Sequence, residues 1–328
     1  MPPIVSIVMP TFNRLEYLSP AIESVLAQTL SDWELVIADD GSGPGTRNYL
    51  TSLDDPRIRV ISLAHTGKPS VVTNVAIQQA KGEFIAFLDS DDLWLPEKLH
   101  TQLASLRRHP QRRWSYTRFE LVDGGGNPVY RPATRDWPAP SGWILEKLLE
   151  ETIVIAQPSV LVERELLRQS GGFDENLTMC YDNELWVRLA AIAEIDGVER
   201  VLTLVRRHAQ HSGDDVTAWR DRRRVFEKFL RTELGVLQAP RLRKLRAHMA
   251  SGLARSQATF GSRAEALATL VSSARYSWRY PRWWRQAPGT IVRCLLPRAL
   301  RRRVGAWRRR HRSAQPTRPA PTIGGSPS

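Results

Sequence analysis

Short apolar runs that end, one after another, in clusters of acidic and hydroxyl residues constrain this chain more than anything else in it. Ile4–Met9, Trp33–Ala38, Ile58–Ser62 and Phe84–Leu88 are rich in Val, Ile and Leu, and their apolar residues are near-continuous rather than alternating. A strand covered on both faces has no solvent side to make polar, so these runs predict parallel strands sandwiched between helices. Between them Leu15, Leu18, Ile22, Val25 and Leu26 keep helical spacing, with Ser19-Pro20 as the expected cap and first position. Val71 to Ala80 predicts a second helix. Strand–helix–strand repetition with short links implies an α/β fold with an open, mostly parallel sheet flanked by helices. Such sheets bind ligands at the carboxyl ends of their strands.

Those ends carry the unusual residues. The first strand runs into Thr11 and Asn13, the second into Asp39-Asp40-Gly41-Ser42, and the fourth into Asp89-Ser90-Asp91-Asp92. Three carboxylates within four residues repel one another unless donors or a cation compensate them, and a hard divalent cation with oxygen ligands suits them best. An EF-hand is excluded, because Leu93-Trp94 follows where a glycine belongs and His100 stands where the bidentate glutamate belongs. The plainer reading is a solvated acidic turn, and Asp39–Ser42 could likewise be a turn in which Gly41 supplies a positive φ. Gly41-Ser42-Gly43-Pro44-Gly45 is no phosphate loop, since it lacks the Gly-Lys-Ser/Thr ending. A dinucleotide fingerprint is absent too.

Beyond Asp92 the pattern loosens. Leu95–Arg107 predicts a helix, Trp114–Val122 a strand, Asp123–Pro128 a turn, and Ile153–Val162 an edge or bent strand because of Pro158. Gly171–Glu175 is a loop leading to a helix over Tyr181–Ala193, and Val198–Arg206 is another strand candidate. Asp182, at the start of that helix, is either a functional carboxylate or a cap, while Glu184 and Arg188 have i,i+4 ion-pair spacing. His208 and His211 have no third metal ligand nearby in sequence and could be surface residues.

Charge divides the chain. The net charge is +13 over 328 residues, yet Arg275 to Arg318 holds 14 arginines with no acidic residue, which leaves 33 basic against 34 acidic residues elsewhere. The positive charge is therefore a property of the C-terminal segment, separable from the chemistry of the body. There Trp278, Trp283, Trp284 and Trp307 are interleaved with arginine and with the apolar stretch Ile291–Leu296. Interfacial aromatics and arginines together predict contact with an anionic membrane surface; a solvated or body-packed basic helix is the alternative, and nucleic acid is not expected as a partner. Cys180 and Cys294 cannot form a disulfide framework, no apolar run reaches membrane-spanning length, and the N-terminus lacks the basic start of a signal peptide. The expectation is a cytoplasmic protein, peripheral on the inner face of the plasma membrane. Ser313–Ser328 is expected to be disordered.

The order and spacing of Pro10–Arg14, Trp33–Ser42, Lys81–Asp92, Gly171–Glu175 and Asp182–Leu189 resemble glycosyltransferase family 2, of the GT-A fold, from about Ile4 to Ser212. The resemblance implies an inverting transferase that takes a sugar from a nucleoside diphosphate sugar, here a UDP-sugar, to an acceptor hydroxyl of a lipid-linked bacterial surface glycan. It implies that Thr11 and Asp39 line the nucleoside pocket with Asp40 close by, and that Asn13, Arg14, Lys68, Asn74 and Ser90 belong to the donor site. Asp89 and Asp91 match the motif that holds Mg²⁺ or Mn²⁺ against the donor diphosphate. Asp182 matches the general base, with Glu184 in reserve, and His208 a histidine near the diphosphate. Two departures stand out: Tyr181 precedes the base where the family has glutamate, and Thr73 precedes Asn74 where arginine is frequent. A non-catalytic nucleotide- or glycan-binding protein on the same fold, and a transferase acting on a soluble or protein acceptor, are the rival readings. The expected organisation is a catalytic domain over 1–213, a helical extension over 214–274, a basic membrane-surface segment over 275–312 and a disordered tail over 313–328.

Overall fold

A computed structural model describes residues 2–129, 138–150, 152–177, 179–207, 215–232 and 239–295. The chain separates into two compact units, Met1–Leu237 and Gln238–Ser328.

In the first unit the strands are β1 (Val5–Thr11), β2 (Trp33–Asp39), β3 (Ile58–Ser62), β4 (Phe84–Phe87), β5 (Leu93–Trp94), β6 (Arg112–Val122), β7 (Val160–Glu163) and β8 (Glu194–Arg206). Its helices are α1 (Leu15–Leu26), α2 (Pro44–Thr51), α3 (Pro69–Gln79), α4 (Lys98–Arg108), α5 (Leu145–Leu149), α6 (Arg164–Ser170), α7 (Tyr181–Ile192) and α8 (Asp215–Thr232). The strands form one sheet in the order β3-β2-β1-β4-β7-β6-β8-β5. Pairing is parallel across β3-β2-β1-β4 and between β6 and β8, whereas β7 runs antiparallel to both its neighbours and β5 runs antiparallel to β8.

Both faces of the sheet are covered, as the continuous apolar runs require. Ile7, Met9, Leu35 and Ile37 pack on one side with Leu18, Ile22 and Leu99 from α1 and α4. Val8, Val36 and Phe87 point to the other side, with Val72 of α3 and Leu185 and Trp186 of α7. The register fixes what happens at the edge: Thr11 lies beside Asp39 and Asp39 beside Ser62, while Val8 lies beside Phe87. Three strands therefore deliver their polar ends to one edge.

Several expectations change. The first helix begins at Leu15 with Arg14 at its N-cap, so Ser19-Pro20 is not its start; Pro20 lies inside the helix. Burial decides this, since Leu18 of the first turn is in the core with Ile22 and Val25. Only Val160–Glu163 of the apolar stretch around Pro158 pairs as a strand, and Gln157–Ser159 is a 3₁₀ turn. The strand expected at Val198 begins at Glu194.

The second unit holds α9 (Ala239–Phe260), α10 (Arg263–Ser277) and α11 (Pro281–Leu295). Ser262 caps α10 by accepting from the Glu265 N–H, 3.4 Å. Ala254, Leu270, Trp283 and Ala287 form one buried cluster, and Ala258, Ala266 and Cys294 another. No helix among the described residues is long and apolar enough to cross a membrane. Trp307 and Ser313–Ser328 lie outside the described residues.

Candidate active site

The strand ends open onto a cavity of about 450 Å³, within the range of small-molecule sites. Thr11, Arg14, Asp40, Asp89, Ser90 and Asp91 line it from the N-terminal half, and Asp182 reaches it from the start of α7. Asn13, Asp39, Lys68 and Asn74 do not line it, and His208 lies outside the described residues.

The residues off the cavity wall hold its loops. Asn13, at φ +50, accepts from the Gly43 N–H at 2.7 Å and gives its own N–H to Ser42 Oγ at 2.9 Å, so the loops after β1 and β2 are clamped together. Buried Asp39 accepts from the Ser42 N–H at 3.1 Å. Asp40, though on the wall, is engaged in the same way: its carboxylate takes the N–H groups of Thr66 (2.7 Å) and Gly67 (2.9 Å) and the Thr66 hydroxyl. Asn74 grips the Gly171–Glu175 loop through the backbone N–H and C=O of Phe173, at 2.9 and 3.0 Å, and Lys68 reaches the Glu175 carbonyl at 3.4 Å. Gly172 sits at φ +70, and a Cβ there would lie 2.9 Å from Asn74 Oδ1. Only glycine fits both the conformation and the approach.

The three carboxylates of the acidic turn have three different fates. Buried Asp92 accepts the Arg206 N–H at 2.7 Å, while Arg206 Nε donates to the Asp91 carbonyl at 2.8 Å. Arg206 thereby staples the turn to β8. Asp91 is ion-paired with Arg14. Asp89 accepts from Gln157 Nε2 at 3.2 Å. Burial raises the Asp89 carboxyl to about 6, with the charge of Asp182 adding and that of Arg14 opposing, and Asp92 is pushed well above the usual range, again chiefly by burial. Asp182 is raised as well, by burial first, against the pull of the Asn183 N–H and of Arg222.

Asp182 is not the helix cap. Cys180 occupies the N-cap in a left-handed conformation, φ +56, and Asp182 accepts from the Asn183 N–H at 2.8 Å inside the first turn. The preceding turn is tied to α8: Met179 N–H donates to buried Asp221 at 2.9 Å, and the Cys180 thiol points to the Ala218 carbonyl at 3.6 Å. Glu184 is buried away from the cavity, held by Arg188 at 2.9 Å and Lys228 at 3.0 Å, while Arg188 also donates to the Gly172 carbonyl.

Thr11 Oγ1 is buried on the cavity wall with no hydrogen-bond partner among the described residues. A bound ligand would satisfy it. The carboxylates also fit a hard cation, because Mg²⁺ and ions like it take one or two carboxylates and complete their shell with phosphate and water. Among the described residues no group of three or more His, Cys, Asp or Glu side chains could hold a metal ion, so protein ligands would supply only part of that shell.

Sequence reasoning missed several wall residues. His65 stacks on Phe12 with ring centroids 4.1 Å apart and bonds through Nδ1 to the Asp40 carbonyl, 2.9 Å. Gln157, Cys180 and Tyr181 also line the cavity. Only Gly67 beside His65, at φ +66, could have marked that loop as specially shaped.

Comparison with known proteins agrees with this geometry. The family described as Glycosyl transferase family 2 matches residues 6–138. TuaG of Bacillus subtilis, named as a teichuronic acid biosynthesis glycosyltransferase, is 33% identical over 190 residues, 57% of this chain and 72% of its own. The Escherichia coli UDP-Glc:alpha-D-GlcNAc-diphosphoundecaprenol beta-1,3-glucosyltransferase WfgD is 36% identical over 120 residues, 37% of this chain and 47% of its own. Among solved structures, residues 1–349 of Staphylococcus aureus TarS in complex with UDP-GlcNAc superpose with a TM-score of 0.59 at 17% identity, covering 86% of this chain and 92% of that one. The mannosyltransferase PcManGT from Pyrobaculum calidifontis, in complex with GDP-Man and Mn²⁺, gives 0.53 at 18% identity, with 91% and 88% covered. With its GT-A fold and acidic strand ends gathered on one cavity, the chain belongs to glycosyltransferase family 2.

Proposed function

We propose that the protein is a metal-dependent, inverting glycosyltransferase that moves a sugar from a UDP-sugar to a hydroxyl of a lipid-linked bacterial surface glycan, at the cytoplasmic face of the membrane. The observation that carries the reading is that Asp89 and Asp182, from distant parts of the chain, line one cavity and feel each other's charge. The names of TuaG and WfgD support the glycan and the lipid-linked acceptor. The basic C-terminal segment supports the membrane.

Inverting transfer is a single displacement. The acceptor oxygen attacks the anomeric carbon, the bond from that carbon to the diphosphate oxygen breaks, and the hydroxyl proton passes to a carboxylate. Asp182 is that base, and Glu184 is not, because its carboxylate is committed to Arg188 and Lys228. Burial strengthens Asp182 as a base, while the Asn183 N–H and Arg222 oppose that rise. Asp89 and Asp91 would hold Mg²⁺ or Mn²⁺, whose charge favours departure of the nucleoside diphosphate. Arg14 holds further positive charge at Asp91. Thr11 offers its unpartnered hydroxyl to the nucleoside, and Asn13, Asp39, Asp40, Lys68 and Asn74 serve the donor by fixing the loops around it. Ser90 stands between the two metal-holding carboxylates, and His208 keeps the diphosphate role that the family resemblance gives it.

The test is nucleotide release from a panel of UDP- and GDP-sugars, with Mn²⁺ or Mg²⁺ and with chelator, in the presence of a diphosphate-lipid acceptor. Turnover with a UDP-sugar, abolished by chelator and strongly reduced by Asp182→Asn, is expected. Undiminished turnover in chelator would overturn the metal, and full activity of Asp182→Asn would overturn the base.

A further inference from the structure

The basic segment near the C-terminus interleaves tryptophan with arginine in sequence, and the described part of it, α11, presents two separate apolar stripes. One faces inward: Trp283, Ala287, Thr290 and Cys294 are buried against α9 and α10, and Trp283 Nε1 lies 3.3 Å from Ser273 Oγ. The other faces outward: Trp284, Pro288, Ile291 and Leu295 recur at steps of four, three and four, and all are exposed, Leu295 to 75%. At about 100° per residue the outward stripe lies roughly 100° further around α11 than the inward one.

The neighbouring helix repeats the arrangement. In α10, Ala266, Leu270, Ser273 and Ser277 are buried, while Leu267 and Val271 are exposed in line with Trp278 just past the helix end, Val271 to 76%. The offset between the two stripes is again about 100°, in the same sense. Helices α10 and α11 run antiparallel, since Trp283 meets Ser273 and Cys294 meets Ala266. Equal offsets on antiparallel helices bring both outward stripes to the same side of the pair. Trp284 Nε1 donates to the Trp278 carbonyl at 2.7 Å and joins the stripes where the chain turns. Arg275 and Arg285 border them, and Arg279 lies over the Trp278 ring at 4.7 Å. No acidic residue follows Glu265.

We infer that this two-helix face, with Trp278 and Trp284 at the end where the chain turns, is a docking surface for an anionic lipid bilayer. Exposed aliphatic and tryptophan side chains enter the headgroup and upper acyl region, and the bordering arginines meet lipid phosphates. This sharpens the membrane part of the proposed function and does not depend on its catalytic part. The surface begins before Arg275, in α10. Cutting the chain there would strip the core of the helical unit together with the face, so point substitutions are needed.

The experiment is co-flotation of the full chain with vesicles of phosphatidylcholine alone, or mixed with phosphatidylglycerol. Binding is expected to the mixed vesicles and to fall with added salt. Replacing Trp284 and Ile291 together by serine should lower the partition coefficient by an order of magnitude or more, from the lost apolar burial. Arg285→Gln should lower it about fivefold, the equivalent of about 1 kcal/mol per arginine near such a surface. Trp143→Ser, which removes an exposed tryptophan of the first unit, should leave it unchanged. Nucleotide release with a soluble acceptor should be the same in all these variants. Unchanged flotation of the Trp284/Ile291 variant, equal binding to neutral vesicles, or a preference for duplex DNA would each overturn the inference. So would a stripe that proves to be covered by another part of the chain or by a second copy, seen as a changed sedimentation coefficient in the variant with no effect on vesicles. Loss of turnover in Asp182→Asn with intact flotation separates the catalytic reading from this one.

Discussion

The two units of this chain solve burial in opposite ways. The first hides large side chains on both sides of a sheet whose strands come from distant parts of the sequence, Trp114, Trp186 and Phe87 in one cluster and Trp33 and Trp94 in the other. The second hides many small ones, Ala254, Ala258, Ala266, Ser273 and Ser277, beside Met249, Leu253, Leu270 and Trp283, and leaves Trp278, Trp284, Val271 and Leu295 outside. Small residues let helices approach closely, but they bury little apolar area per residue. A unit built that way leans on its few large side chains. Large apolar groups inside support the cavity of the first unit; those outside leave a surface on the second.

The sharpest way to break the comparison is Trp283→Ala. This is the largest buried side chain among the described residues of the second unit and also a partner of Ser273, so its loss should cost about 3–5 kcal/mol within that unit. Hydrogen exchange over 239–295 should accelerate while the sheet stays protected and soluble turnover persists. Equal loss of protection in the sheet would show that the units do not stand apart energetically.

Next in size is Asp182, the proposed base. Asp182→Asn should reduce kcat on the order of 10²-fold or more with donor binding kept. Glu184→Gln should instead weaken the hold on Arg188 and the Gly172 loop, costing about 1–3 kcal/mol of stability with a smaller effect on kcat. Reversed kinetic severities would move the base to Glu184.

Gly172→Ala probes the first unit's loop geometry. A side chain at φ +70, 2.9 Å from Asn74 Oδ1, should cost about 1–3 kcal/mol, read as a lowered Tm. A variant as stable as the parent would mean that the loop is not pinned.

The smallest effect is a pH dependence. Burial raises the Asp182 pKa in the folded protein, so the folded state holds that proton more tightly than the unfolded one. Stability from this group is then present at low pH and lost as pH rises from the ordinary aspartate range through the raised value. Asp182→Asn lacks the titration. Its stability advantage over the parent should open on going from acid to neutral pH, measurable by denaturant melts, and a constant difference would mean that the carboxylate is not held against burial.

The sequence made the first unit legible because three apolar runs end at one edge, and their polar endings state the site. What it hid were contacts that only folding brings together. Nothing local marks Arg206 as the partner of Asp92, or Asp221 of α8 as the acceptor for Met179 N–H in front of Asp182. Ser19-Pro20 misled because a proline in a helical stretch usually means a start, yet the buried Leu18 keeps the earlier turn. In the second unit, the sequence does not separate the inward from the outward large residues of α11, because the alanine, threonine and cysteine of its inner face carry so little of the buried signal.

The pairing of Leu93-Trp94 with Thr203 and Leu204 has a consequence for how the protein is made. A ribosome that has released the acidic turn must still produce more than a hundred further residues before β8 can close over it. Until β7 follows, β4 offers an open edge to any strand nearby, its own chain or a neighbour's. The half of the sheet built from β1 to β4 can fold early and wait, while the half carrying Asp182 arrives as a late delivery. Any pause in translation between Trp94 and Val160 therefore lengthens the time the nascent sheet stands unfinished.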